Sequence, residues 1–189
     1  VSCEGEGARI WWPNKDHITA EGDSVRMAYT VPSHLVAVGN GQLRSVKELN
    51  DKTTYEWFVQ NPINNYNISV QIGNYVAVQD TLKKDDTTHF MDHYVLDYNK
   101  QLASNYFPQS KEIIRFYEKY FGDYQWYKDG YKLVEVPYLG MEHQSAVTYG
   151  NGFSIYNGVR SKSWPMYGVV DPLIIHETGH EWFGNSVTA

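Results

Sequence analysis

The sequence predicts an α+β chain, with an antiparallel β unit over residues 1–97 followed by a mainly helical unit over 98–189. Two observations carry this. Apolar residues recur with a period of two through the first half, and the period switches towards 3.6 after Asp97. The first half also runs strand after strand with no helical spacer, the pattern of an antiparallel unit. With 189 residues, 42% hydrophobic and 20% charged, the chain can bury a core and is globular rather than disordered.

Val25, Met27, Tyr29 and Val31 alternate with Arg26, Ala28 and Thr30, the signature of a half-buried strand. Gly39-Asn40-Gly41 reads as a hairpin turn between 35–38 and 43–46, because both residue types tolerate positive φ. A strand over 53–59 is broken by Asn61-Pro62 and Asn64-Asn65. Ile68, Val70 and Ile72 alternate again, and a strand over 75–78 follows Gly73. Asp85-Asp86 turns the chain into a strand over 88–97.

Helices are expected over 98–106 and 108–121. Ile113, Ile114, Tyr117, Tyr120 and Phe121 form the stripe of the second, with Pro108 in its first turn and Gly122 past its end. A short strand over 133–136 and an apolar stretch over 140–149 precede a loop-rich segment, 151–168. Asp171 as N-cap and Pro172 at the first position then open a final helix at Leu173-Ile174-Ile175.

Composition excludes several roles. Sixteen basic against 22 acidic residues give −6, the wrong sign for neutralising nucleic-acid phosphates. No apolar run is long enough for a transmembrane helix, and residues 1–9 hold no signal-peptide core. A single cysteine, Cys3, makes no internal disulfide. The 16 Tyr and 6 Trp fit packed sheet faces and leave a carbohydrate-binding module as a distant reading.

The final helix carries His176-Glu177-Thr178-Gly179-His180, an H-E-x-x-H match. Four residues turn a helix through about 400°, so His176 and His180 leave one face about 40° apart and can close on one zinc ion. Glu177, rotated about 100° away, is placed to take a proton from a zinc-activated water attacking a carbonyl carbon. The pattern points to metal-assisted amide hydrolysis, with a solvated helix face as the bland reading. Phe183 and Ser186 stand where the metzincin pattern needs glycine and histidine, which leaves the gluzincin class.

Glu181-Trp182-Phe183-Gly184-Asn185-Ser186-Val187-Thr188, directly after the match, resembles the aminopeptidase N and leukotriene-hydrolase family of zinc metallopeptidases, which typically has Gln where this chain has Glu181. Leu139-Gly140-Met141-Glu142-His143 resembles the family's G-x-M-E-N exopeptidase motif, departing at Leu139 and His143. Trp11-Trp12-Pro13 is similar to an aromatic-Pro element of its N-terminal β-domain.

The resemblance implies the end of that β-domain over 1–97 and the start of a thermolysin-like catalytic domain over 98–189. His176 and His180 would be zinc ligands and Glu177 the general base. Glu142 would hold the free α-amino group of a peptide, with Gly140 and Met141 alongside the substrate backbone and His143 either touching substrate or packed. The family's third zinc ligand, a glutamate, and its transition-state tyrosine are expected beyond residue 189. The chain alone is therefore expected to be a fragment that binds zinc poorly and turns over little substrate.

A thermolysin-like endopeptidase and a non-catalytic peptide- or partner-binding zincin scaffold stand as alternatives. The expected partner is a peptide with a free N-terminus, with no nucleic acid. A soluble chain is expected, with the compartment left open and an extracytoplasmic setting slightly favoured over a cytoplasmic one.

Overall fold

The computed structural model describes Cys3, Gly7 and residues 8–15, 17, 19–153 and 170–187. The strands of the first half are Glu21–Gly22 (β1), Val25–Pro32 (β2), Val36–Gly39 (β3), Gln42–Leu49 (β4), Lys52–Val59 (β5) and Ile63–Asn64 (β6). Val70–Gly73 (β7), Tyr75–Val78 (β8), Thr81–Lys84 (β9), Thr87–Phe90 (β10) and His93–Leu96 (β11) follow. Two helices come next, Lys100–Tyr106 (α1) and Gln109–Phe121 (α2). Leu133–Glu135 (β12), Gly140–Met141 (β13), Val147–Tyr149 (β14) and the helix Pro172–Gly179 (α3) complete the described elements.

The α+β expectation holds: mostly antiparallel sheets, with helices after Asp97. β5 is the middle strand of an antiparallel sheet with β2 and β4. β3 pairs with β7, β1 with β6, and β9 with β10. A five-stranded sheet in the order β13-β14-β12-β11-β8 joins strands from both sides of Asp97. Its inner pairs, β11–β12 and β12–β14, are parallel, and its outer pairs antiparallel.

Local turn chemistry at Gly39-Asn40-Gly41 is as expected, but the hairpin is not. Gly41 takes φ +74, where any Cβ would sit 2.2 Å from the Phe58 carbonyl oxygen. The flanking strands nevertheless enter different sheets. Trp57 packs against Gly39 and donates from Nε1 to the Ala37 carbonyl at 3.0 Å, so the indole occupies the flank of β3. The expected strand over 88–97 is two strands. At Met91, reciprocal backbone bonds to Asp80 carry the chain from its β9 partner to β8. α1 begins at Lys100 because 97–99 form a 3-10 turn, and Pro108 is the N-cap of α2 rather than its first residue.

One apolar core lies between the five-stranded sheet and the helices, with Phe107, Ile114, Leu133, Val147 and Ile174 fully buried. A second, around Trp57, Val59 and Ile63, takes Val134 from β12 and so reaches into the first half. On α2, Ile113 and Ile114 face the core, whereas Tyr120 and Phe121 are exposed. Of the expected loop 151–168, Asn151–Phe153 are described and the rest lies outside the described residues.

Candidate active site

α3 is built to hold its two histidines. Asp171, fully buried, caps it by accepting the Leu173 N–H at 2.8 Å, and Pro172 fixes the first turn. Leu173 and Ile174 are buried in the core beneath. At Gly179 a Cβ would lie 2.5 Å from the Tyr117 hydroxyl, so only glycine lets α2 approach this closely. The Tyr117 hydroxyl donates to the Ile175 carbonyl at 3.0 Å, and its ring stacks on Trp182 at 5.1 Å.

The helix ends on His180, which is its C-cap but keeps helical φ and ψ. The Nε2 atoms of His176 and His180 therefore converge, 3.2 Å apart, with their rings nearly perpendicular. Two nitrogens bound to one tetrahedral zinc at about 2.0–2.1 Å would stand about 3.3 Å apart. The His180 ring is oriented by Nδ1, 2.9 Å from the Phe183 carbonyl. A carbonyl can only accept, so Nδ1 carries the proton and Nε2 presents its lone pair. Burial first, and then the neighbouring His180, push the His176 imidazole below its ordinary pKa, which favours the neutral, ligating form. These donors fit zinc.

Glu177 is 6% exposed, and its carboxylate lies within 4.8 Å of both imidazole donors. It also lies against Gly140, where a Cβ would come within 2.9 Å of Oε1. β13, which carries Gly140 and the buried Met141, pairs only with β14 among the described residues, leaving its other edge open. Glu142 follows directly. Its carboxylate is close enough to His176 to oppose the lowering of that imidazole, and it touches the Tyr66 hydroxyl. Thus the two motifs, read separately in the sequence, meet. His143 is 1% exposed, a buried residue rather than a wall of the cleft.

Several buried polar residues lie behind the site, and the sequence assigned none of them a role in it. Glu181 accepts the Ser145 N–H at 2.8 Å, and burial raises its carboxyl to about 8. Its other carboxyl oxygen lies 3.4 Å from Asn185 Nδ2. Lys132 donates to the carbonyls of Gly41 at 2.6 Å and Ser145 at 2.9 Å, and burial lowers its ammonium to about 8. Asn40, Asn67 and Asn185 are all buried, and their amides join the 142–145 stretch to the first half.

Residues 105–189 match the peptidase family M1 domain. The chain is 27% identical over 198 residues to a leucyl aminopeptidase of Saccharolobus solfataricus, covering 98% of the chain and 23% of that protein. It is 25% identical over 191 residues to a probable aminopeptidase 2 of Sulfurisphaera tokodaii, with the same coverages. The fold matches the crystal structure of an M1 zinc metallopeptidase from Deinococcus radiodurans with a TM-score of 0.75 at 19% identity, over 97% of this chain and 39% of that one. The chain thus spans about a quarter of the length of these curated relatives. With the M1 match over the helix that carries His176 and His180, and relatives aligned along nearly the whole chain, it is similar to aminopeptidases and has the fold of an M1 zinc metallopeptidase.

Proposed function

We propose that the protein to which this chain contributes is a zinc aminopeptidase that removes one residue from the N-terminus of a peptide. The observation that carries this reading is the convergence of the His176 and His180 Nε2 atoms, 3.2 Å apart, with Glu177 beside them. His176 and His180 would hold the ion, and a glutamate from beyond residue 189 would complete the set. Bound zinc supplies Lewis acidity, which lowers the pKa of water and polarises a carbonyl. The Glu177 carboxylate takes the proton of the attacking water and returns it to the departing amine nitrogen.

Glu142 pairs with the substrate ammonium and fixes the peptide by its N-terminus. The open edge of Gly140–Met141 receives the substrate backbone as an added strand. The relatives' printed names, a leucyl aminopeptidase and a probable aminopeptidase, support the exopeptidase over the endopeptidase alternative. The β unit is proposed to end near Asp97. The chain on its own is proposed to be inactive, because two imidazoles do not complete a catalytic zinc site.

The test uses the full-length enzyme loaded with zinc. It should cleave a leucyl anilide with a free amine and leave the N-acetylated substrate intact. Glu177→Gln should lower kcat by about a hundredfold or more while zinc content stays at wild-type level. Equal cleavage of the free and acetylated substrates would overturn the reading.

A further inference from the structure

Asn185, five residues past His180, is 1% exposed and bonded on three sides. Its backbone N–H donates to the His180 carbonyl at 2.9 Å. Its Nδ2 donates to the Glu142 carbonyl at 2.9 Å, and its Oδ1 accepts from Asn67 Nδ2 at 2.8 Å. The orientation of the amide is fixed, because the Glu142 carbonyl can only accept. Asn67 in turn passes its own carbonyl to Asn40 Nδ2 at 2.9 Å, and the same Nδ2 reaches the Gln144 carbonyl at 2.7 Å. One buried residue therefore links the His180 backbone through its own N–H, and the backbone of Glu142 and the first half of the chain through its side chain.

We propose that Asn185 is a positioning residue that sets the distance between the amine anchor and the metal ligands, and thereby which peptide bond is presented for cleavage. The proposal rests on the aminopeptidase reading and deepens it. Consecutive Cα atoms lie only about 3.8 Å apart, so an anchor displaced by a fraction of that distance no longer presents the first peptide bond. The position needs a donor and an acceptor together. Aspartate supplies acceptors alone and would set an oxygen against the Glu142 carbonyl, whereas alanine removes both bonds.

The experiment compares Asn185→Asp and Asn185→Ala with wild type in the full-length zinc enzyme, measuring kcat, KM and zinc content with a leucyl anilide. Each variant should keep wild-type zinc content and raise KM about tenfold, with a smaller change in kcat. Placed on a Glu142→Gln background, Asn185→Asp should shift KM by less than about twofold, because the residue acts through Glu142. A merely structural role predicts the reverse: unchanged KM, kcat falling with the folded fraction, and effects that add in the double variant. That result would overturn the proposal.

Should neither Asn185 variant fold, Asn67→Ala removes the donor to Asn185 Oδ1, together with a longer contact from the Gln144 N–H at 3.4 Å, and should raise KM about threefold, again silent beside Glu142→Gln. No KM change there overturns the proposal equally. Wild-type cleavage of N-acetyl-leucyl anilide separates the two levels. If the acetylated substrate is cleaved as well as the free one, the amine-anchor reading itself has failed. If it is spared while Asn185 and Asn67 are silent, only the positioning role has.

Discussion

The Glu177 carboxylate occupies the space that a side chain at Gly140 would need: a Cβ there would lie 2.9 Å from Glu177 Oε1. The same Cβ would come within 3.1 Å of Leu173 Cδ1 and of the Thr148 carbonyl oxygen. The backbone neighbour cannot move, so the flexible carboxylate would give way. If the proposed function holds, Gly140→Ala lowers kcat/KM of the full-length protein by roughly ten- to a hundredfold through displacement of the proposed base. Zinc content should stay unchanged, because neither imidazole is touched. Full activity in this variant would show that Glu177 tolerates a shifted carboxylate.

Gly150 is tighter still. A Cβ there would lie 1.5 Å from the Tyr138 carbonyl oxygen and 2.7 Å from that of Val136, both on fixed backbone. Gly150→Ala should destabilise by more than about 4 kcal/mol or prevent folding, read as loss of soluble yield or of thermal midpoint. Gly122 is the control. Its φ of +93 strains any other residue, but nothing lies within 4 Å of its Cβ position. Gly122→Ala should therefore cost only about 1–2 kcal/mol, the backbone penalty alone.

The helix that carries His176 and His180 was legible in the sequence because everything that shapes it is local. Asp171, Pro172 and the four-residue step from His176 to His180 act within a few residues of one another, and helix geometry does the rest. The Gly39-Asn40-Gly41 turn was legible as a turn for the same reason. Its strands' partners were not, since β7 and β5 are selected by Trp57 and by packing with distant residues. Asn185 stood in the stretch after the H-E-x-x-H match, but its contacts stayed hidden because its partners, Asn67 and Glu142, lie 118 and 43 positions away. A buried asparagine and an exposed one look alike until the chain has folded. The stripe of α2 overreached at Tyr120 and Phe121, which have helical spacing but stay more than half exposed, Phe121 meeting Phe183 edge-to-face beyond its own helix.

Asp171 is more than a cap. Its carboxylate also accepts the hydroxyls of Tyr106 and Tyr149, each at 2.8 Å, and the Asn151 amide at 3.2 Å. Removing it takes the carboxylate acceptor from those donors and from the Leu173 N–H. Asp171→Ala should therefore cost about 3 kcal/mol or more, above the 0.5–2 kcal/mol of an ordinary lost cap. Asp171→Asn keeps one acceptor and should cost roughly half as much. Denaturant unfolding of both variants checks the ranking, and equal losses would show that capping alone matters.

His93 sets an acid limit on stability. The ring is fully buried against Phe107 and Tyr131, and Nδ1 accepts the Leu133 N–H at 2.9 Å. Burial lowers the imidazole from 6.5 to about 3. The unfolded chain therefore binds this proton between those values while the folded one does not. Stability from His93 is complete above about pH 6.5 and drains as the pH falls, by up to about 1.4 kcal/mol per unit. Between pH 6 and pH 4 the loss from this residue alone should reach about 2.5 kcal/mol. His93→Asn, which retains an acceptor for Leu133 but does not titrate, should be less stable at pH 7 yet show a shallower fall over the same range. Urea midpoints at several pH values give both slopes. Parallel curves for the two proteins would mean that the acid sensitivity arises elsewhere, whereas a shallower curve places one proton of it on the ring beneath β12.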